Sequence, residues 1–202
     1  MKVLIEGMII LSSKKEIEIK IRIDNTDSFI RLKAKLESEC IKVEKVYQND
    51  VYYSPTNENY MDERYPYKWL RVRYLNGESA EVCFKHFFPE GAEHHLYCNE
   101  YQSKISEPEA IVNIFSELGL QVIADVEKKR TTYRYGRYLI SFDEVKRLGN
   151  FVEVEVESVR FDESKECELL DNVLEELALS TYPIELRGYP YLVYCNSKKD
   201  DE

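Results

Sequence analysis

Polar and apolar residues alternate along much of this chain. From Glu16 to Ile23 every second residue is an isoleucine, so a strand there puts Glu16, Glu18, Lys20 and Arg22 on one face and the isoleucines on the other. The same period of two recurs in Ile41–Tyr53, Trp69–Tyr74, Ser79–His86, Cys98–Ile105, Val122–Tyr135, Tyr138–Glu144 and Phe151–Glu157, which predicts about eight strands. Asn76-Gly77 and Tyr135-Gly136 supply turn signals between neighbours, so the sheet is expected to be largely antiparallel. Helical spacing takes over in three places. Thr26 or Asp27 is placed to cap a helix that carries Phe29, Leu32 and Leu36 and ends near Glu39. Ser106, with Glu109 three residues on, makes a capping box for a second helix bearing Ile111, Ile114, Phe115 and Leu118 and closed by Gly119. Leu169, Leu170, Val173, Leu174 and Leu177 predict a third helix over Asp162–Leu179. Ser54–Lys68, Phe87–Tyr97 and Lys146–Asn150 read as loops, Thr181–Tyr194 as irregular, and Asn196–Glu202 as a disordered polar tail.

Composition narrows the class. The chain has 202 residues, enough for one largish domain spanning 1–202 with a substantial core. Its 38 acidic against 28 basic side chains give a net charge of −10, which argues against nucleic-acid binding through an extended basic surface. Local cationic clusters for a small anion remain compatible with that total. Five scattered cysteines without a CxxC pair point away from a disulfide framework or a zinc site, and toward a reducing cytoplasm. Residues 1–13 start apolar, but Glu6 and Gly7 break the run and no small-x-small cleavage site follows; they read as an extension or a leading strand. No stretch approaches membrane-spanning length.

The distribution of charge over the strands changes the picture. Taken singly, each charged face reads as solvated, but the acids sit on the first and last strands and the bases on the middle ones. Lys20, Arg71, Arg73, Lys85, Lys128 and Arg130 converge on one highly charged anion if the sheet curls with its polar face concave. Glu16, Glu18, Asp143, Glu153 and Glu155 then hold a hard divalent ion between protein and phosphate oxygens. A closed barrel with a polar lumen is the economical geometry.

Those residues resemble a known family. Glu16-x-Glu18-x-Lys20 is similar to the ExExK signature of the CYTH, or triphosphate tunnel metalloenzyme, superfamily. Asp50-Val-Tyr-Tyr, Leu70-Arg-Val-Arg73, Phe84-Lys85, Lys128-Lys-Arg130, Phe142-Asp143 and Leu148-Gly-Asn-Phe-Val-Glu153-Val-Glu155 follow in the family's order, from about Glu16 to about Tyr191. The resemblance implies an α+β fold, a closed eight-stranded antiparallel barrel braced by about three helices. It implies Mg²⁺ or Mn²⁺ on Glu16, Glu18, Asp143, Glu153 and Glu155. Lys20, Arg71, Arg73, Lys85, Lys128 and Arg130 become the triphosphate clamps, with Lys20, Lys85 and Asp143 taking part in catalysis. Arg187 sits where the family often has a basic residue ahead of a tyrosine, although the usual serine is Gly188 here.

The pattern looks closest to the class IV adenylyl cyclase branch, so the implied reaction is ATP to cyclic AMP and pyrophosphate. Hydrolysis of inorganic, nucleoside or thiamine triphosphate is the alternative, and a non-catalytic triphosphate-binding module the third reading. The implied partner is therefore ATP, tripolyphosphate or thiamine triphosphate, with a homodimer possible and no nucleic acid or membrane. Other residues read plainly: His86, His94 and His95 as loop or outer-face groups, Cys83 as small packing, Glu157 as a rim residue, and Tyr52 or Tyr133 as candidates for the tunnel mouth.

Overall fold

The computed structural model describes residues 14–16, 18–93, 95, 97–156 and 171–200. Nine strand segments and four helices follow in the order β1 (Lys14–Glu16), β2 (Glu18–Ile23), α1 (Thr26–Glu39), β3 (Ile41–Pro55), β4 (Lys68–Leu75), β5 (Ser79–Phe88), β6 (Tyr97–Ile105), α2 (Pro108–Glu117), β7 (Leu120–Tyr135), β8 (Tyr138–Val145), β9 (Gly149–Val156), α3 (171–176) and α4 (Tyr189–Asp200). The expected leading extension at 1–13 lies outside the described residues, as does the whole first half, 162–170, of the third predicted helix.

All nine segments form one antiparallel sheet in the order β1-β6-β5-β4-β3-β7-β8-β9-β2. Its two edges, β1 and β2, are successive pieces of the same chain segment, so the sheet must curl. It is nevertheless an open, curled barrel and not the seamless closed one expected from the sequence. Residues 14–16 pair with β6 and residues 18–23 pair with β9, and these two ladders do not overlap. No described level of the sheet is therefore hydrogen bonded all the way round. The outward edge of β2 is instead taken by the chain before α4: Arg22 donates its N–H to the Pro183 carbonyl (3.0 Å), and Glu185 donates to the Lys20 carbonyl (2.8 Å).

Strand parity assigns the two faces. On the convex side Ile21, Ile23, Ile140, Phe142, Val152 and Val154 are fully buried beneath α1, which contributes Phe29 and Leu36, and beneath Val173, Leu174, Leu177 and Leu179. Tyr133 packs edge-on to Phe142 in this layer, 5.9 Å between ring centroids, so it does not stand at the mouth of the concave face. The concave side is divided. One end is apolar, with Tyr52, Trp69, Ala124, Val126, Val145 and Phe151 packed against Tyr189 and Leu192 of α4. The other end carries the charges.

Three local expectations need correction. Asn25, not Thr26 or Asp27, caps α1: its extended backbone lets its Oδ1 accept from the Ser28 N–H at 2.9 Å. The capping box at Ser106 does not form, because Pro108, whose fixed φ and missing N–H suit a first helical position, opens α2 and leaves Glu107 at the cap without a side-chain bond. The stretch read as irregular and then disordered becomes α4. Its helical stripe is hidden from periodicity because the residues it buries, Tyr189, Pro190 and Leu192, are an amphipathic aromatic, a proline and one leucine.

Phe142→Ala should lose about 3–5 kcal/mol of unfolding free energy through the cavity it opens. Leu118→Ala, at a residue 72% exposed, should stay within about 0.5 kcal/mol. Urea denaturation of the two variants checks both values.

Candidate active site

Because side chains alternate across a strand, the inward set is fixed once the sheet curls. Glu18 and Lys20 from β2, Arg71 and Arg73 from β4, Lys85 from β5, Lys128 and Arg130 from β7, and Glu153 and Glu155 from β9 all line one cavity of about 530 Å³. That is the size of a small-molecule site. Six cations share this concavity, and their mutual repulsion has to be offset.

Two buried carboxylates do most of this. Asp50 on β3 is 1% exposed and accepts a bidentate pair from Arg73, Nε and Nη2 each at 2.6 Å. Arg71 Nη1 lies 3.8 Å from the same carboxylate. Burial alone would raise the Asp50 carboxyl, but the Arg73 and Arg71 charges win and hold it well below the usual carboxylate range. Asp143 on β8, fully buried, accepts from Lys128 Nζ (3.1 Å), from Arg130 Nε (2.6 Å) and Nη2 (2.5 Å), and from the Tyr189 hydroxyl (3.0 Å). Its carboxyl is also held down against burial, by Arg130 and then Lys128. Lys128 is lowered as well, to about 8, first by burial and then by the Arg130 charge.

The remaining cations, Lys20 and Lys85, stand farther from their carboxylates, 3.9 Å from Glu153 and from Glu100 respectively. The Lys20 ammonium donates to the Arg187 carbonyl at 3.1 Å and stands 4.4 Å from the Tyr189 ring centroid, with the Lys128 ammonium 4.9 Å from that centroid. One tyrosine ring thus stabilises two lysines. Lys85 lies 3.9 Å from Glu100, which also accepts from the Cys83 thiol at 3.1 Å. Burial pushes that thiol up to about 12, so Cys83 is a packing group and not a nucleophile.

On the acidic side Glu18 pairs with Glu155 across the β2–β9 ladder and Lys20 with Glu153. Glu153 is further held by a short hydrogen bond from Arg130. Among the described residues no group of three or more His, Cys, Asp or Glu side chains is arranged to hold a metal ion by itself. The donor set instead suits an ion shared with a ligand, since Mg²⁺ is commonly held by one or two carboxylates with phosphate oxygens and water completing its shell. Glu18 and Glu155 offer that pair of hard oxygen donors on the cavity wall.

Two residues of the expected set, Asp143 and Arg187, lie elsewhere, and a third, Glu16, is described by its backbone alone. Asp143 sits beneath the wall, fully occupied by cations. Arg187 does not line the cavity: its guanidinium turns to Glu185, Nε to Oε1 at 2.9 Å, and only its carbonyl reaches the site. Glu16 lies on β1 opposite Cys98, and only its backbone is described. Sequence reasoning gave no site role to Asp50, Glu100 or Tyr189. Both Asp50 and Tyr189 had a visible signal, Asp50 as an acid on the polar face of β3 and Tyr189 as the tyrosine that follows Arg187-Gly188. His95, expected on a loop or outer face, lines the cavity, while His94 and Glu157 lie outside the described residues. Gly188 fits closely, since a Cβ there would come within 3.0 Å of the Trp69 ring.

A family model, described as the CYTH domain, matches residues 14–189 of this chain. The chain belongs to the CYTH family. It is 29% identical over 162 residues to a Methanocaldococcus jannaschii protein provisionally named an adenylate cyclase, covering 80% of this chain and 85% of that one. A conserved hypothetical protein of Pyrococcus furiosus superposes with a TM-score of 0.72 at 25% identity, covering 88% of this chain and 99% of its own. A Hippeastrum protein, whose structure is described as an adenylyl cyclase candidate with dominant triphosphatase activity, shares the CYTH fold at a TM-score of 0.60 and 14% identity, covering 91% and 95%. No helix among the described residues is long and apolar enough to cross a membrane.

Asp50→Asn should remove about 3–5 kcal/mol at pH 7, because it leaves Arg73 and Arg71 buried without their counter-charge. The folded-state carboxyl is depressed, so the stability it contributes is complete above the unfolded value of about 4 and is lost as pH falls toward the folded value. Urea unfolding of both proteins should therefore show the gap full at pH 7 and narrowing from about pH 4 downward.

Proposed function

We propose that this CYTH protein is a divalent-metal-dependent enzyme acting on a triphosphate bound in the cavity, and that its reaction is the conversion of ATP to cyclic AMP and pyrophosphate. The observation that carries the triphosphate reading is the convergence of Lys20, Arg71, Arg73, Lys85, Lys128 and Arg130 on one cavity facing the Glu18–Glu155 pair. A triphosphate carries about three to four charges, and without such a wall its desolvation would be prohibitive. The name of the Methanocaldococcus relative supports the cyclase outcome.

The residues divide the work. Arg71 and Arg73, fixed by Asp50, and Arg130, fixed by Asp143, present planar donors suited to bidentate contact with phosphate oxygens. Lys20, Lys85 and Lys128 add point charges. Glu18 and Glu155, with Glu153 beside them, would hold Mg²⁺ or Mn²⁺ against the phosphates. When bound, the ion supplies charge neutralisation and polarises the phosphorus under attack. In cyclisation the ribose 3′-oxygen forms a bond to the innermost phosphorus, the bridging P–O bond to the next phosphate breaks, pyrophosphate leaves and the hydroxyl proton passes to solvent. Because little covalent chemistry is asked of the protein, catalysis rests on positioning and on charge placed in advance. Asp143 contributes by holding Lys128 and Arg130, a positioning role.

The second reading is hydrolysis, with water attacking the terminal phosphorus at the same site. It is favoured by the described activity of the Hippeastrum protein that shares the fold.

With Mn²⁺ and ATP the expected products are cyclic AMP and pyrophosphate, and chelation with EDTA should abolish turnover. Orthophosphate with ADP would assign the protein to the hydrolases, and tight tripolyphosphate binding without any turnover would reduce it to a binding module. Arg71→Ala should lower kcat about 10²–10³-fold, the usual cost of removing one preorganised donor.

A further inference from the structure

Lys20 enters the cavity from a strand at the edge of the sheet. Beyond β2, residues 183–185 run antiparallel to it, with Ile184 opposite Ile21 and the Glu185 N–H on the Lys20 carbonyl at 2.8 Å. Parity then puts the Glu185 side chain on the concave face beside Lys20, and Glu185 lines the cavity. The Lys20 ammonium lies 3.1 Å from the Arg187 carbonyl, 3.9 Å from Glu153 Oε1 and 4.4 Å from the Tyr189 ring centroid. Of the three, only the carbonyl is within hydrogen-bond distance. That carbonyl precedes Gly188, whose backbone has the widest choice of conformations, so its direction has to be fixed from elsewhere. The Glu185 carboxylate fixes it. Its Oε1 accepts from the Arg187 N–H at 3.1 Å and from Nε at 2.9 Å, and its Oε2 accepts from Nη2 at 3.1 Å.

We propose that Glu185 and Arg187 are positioning residues for Lys20: their ion pair closes residues 185–187 into a staple, anchored to β2 at Glu185, that holds the Arg187 carbonyl on the Lys20 ammonium. The Arg187 guanidinium does not line the cavity, so this cation acts on a ligand through Lys20 and not by contact. Its side chain is 43% exposed, and an ion pair so open to water contributes little to stability. The consequence is local. A lysine on a flexible four-carbon stem loses rotamer freedom when it clamps an anion, and a carbonyl that has already ordered the ammonium removes part of that cost. The effect on a ligand rests on the triphosphate reading of the cavity, whereas the staple itself does not.

Glu185→Gln, Arg187→Gln and the double variant test this against wild type in two measurements. The first is proton–nitrogen correlation of the lysine ammonium groups at low temperature, with Lys20→Arg identifying the Lys20 signal by its absence. The second is calorimetric titration with tripolyphosphate in EDTA. In wild type the Lys20 ammonium should exchange with water slowly enough to be seen. Each single variant should speed that exchange about tenfold or more, the equivalent of one lost hydrogen bond, and weaken tripolyphosphate binding about three- to tenfold. The double variant should be no weaker than Arg187→Gln alone, because the two residues act as one unit. A Glu185 that only competes with the anion would bind tripolyphosphate more tightly as Glu185→Gln, and that result would overturn the proposal. A Lys20 signal missing from wild type or unchanged in both single variants, or additive losses in the double variant, would overturn it too. A wild type that shows the slow ammonium but binds no tripolyphosphate would remove the triphosphate reading and leave the staple standing.

Discussion

Six cationic side chains on one concave wall repel one another, and the wall exists because two buried carboxylates hold four of them. Asp50 ties Arg73 and Arg71 of β4 to β3, and Asp143 ties Lys128 and Arg130 of β7 to β8. Each carboxylate accepts from cations on a neighbouring strand, so the same contacts that neutralise charge also pin adjacent strands. Taking such pairs out of water is expensive, and replacing them with apolar residues commonly stabilises a fold. The wall is therefore weak evidence for stability by itself.

The anchoring also explains how the wall is prepared. Guanidinium groups held by Asp50 and Asp143 do not have to reorganise when an anion arrives, which is where preorganised electrostatics differ from those of water. Tyr189 extends the arrangement, with its hydroxyl on Asp143 and its ring beneath Lys20 and Lys128. Burial first, and then the nearby Asp143 charge, hold that hydroxyl protonated well above its ordinary range, so it acts as a fixed donor. The acids across the cavity, Glu18, Glu153 and Glu155, come from the two strands β2 and β9. With Lys20, which shares β2 with Glu18, they line the same cavity as the cations of β4, β5 and β7.

Much of this was legible in the alternation of residues. The charged positions of β2, β4, β5, β7 and β9 that sequence reading grouped as one polar face do line one cavity. The strands and the first two helices fall close to where their periods put them. The misses have particular causes. Asp143 looked like a metal ligand because an acid on the polar face of a strand cannot disclose which cations will claim it. Arg187 looked like a clamp, but Glu185 two residues before it offers a nearer carboxylate. The helix α4 shows no stripe, since the residues it packs into the concave end, from Tyr189 through Tyr194, are consecutive and not at helical spacing.

What the sequence determined by itself is therefore everything that depends on parity: which residues of each strand share a face. Period two is a property of the backbone, and it needs no partner to be read. Tertiary structure decided what lies between non-neighbouring segments. It left the barrel open at the β1–β2 seam, because β1 and β2 pair over separate stretches and residues 183–185 take the outer edge of β2. It sent α4 into one end of the concave face, and it chose Asp50 and Asp143 as the buried counter-charges. These outcomes depend on distances between residues far apart in the chain, such as the 46 positions separating Asp143 from Tyr189, and on burial, which turns an ordinary carboxylate into an anchor.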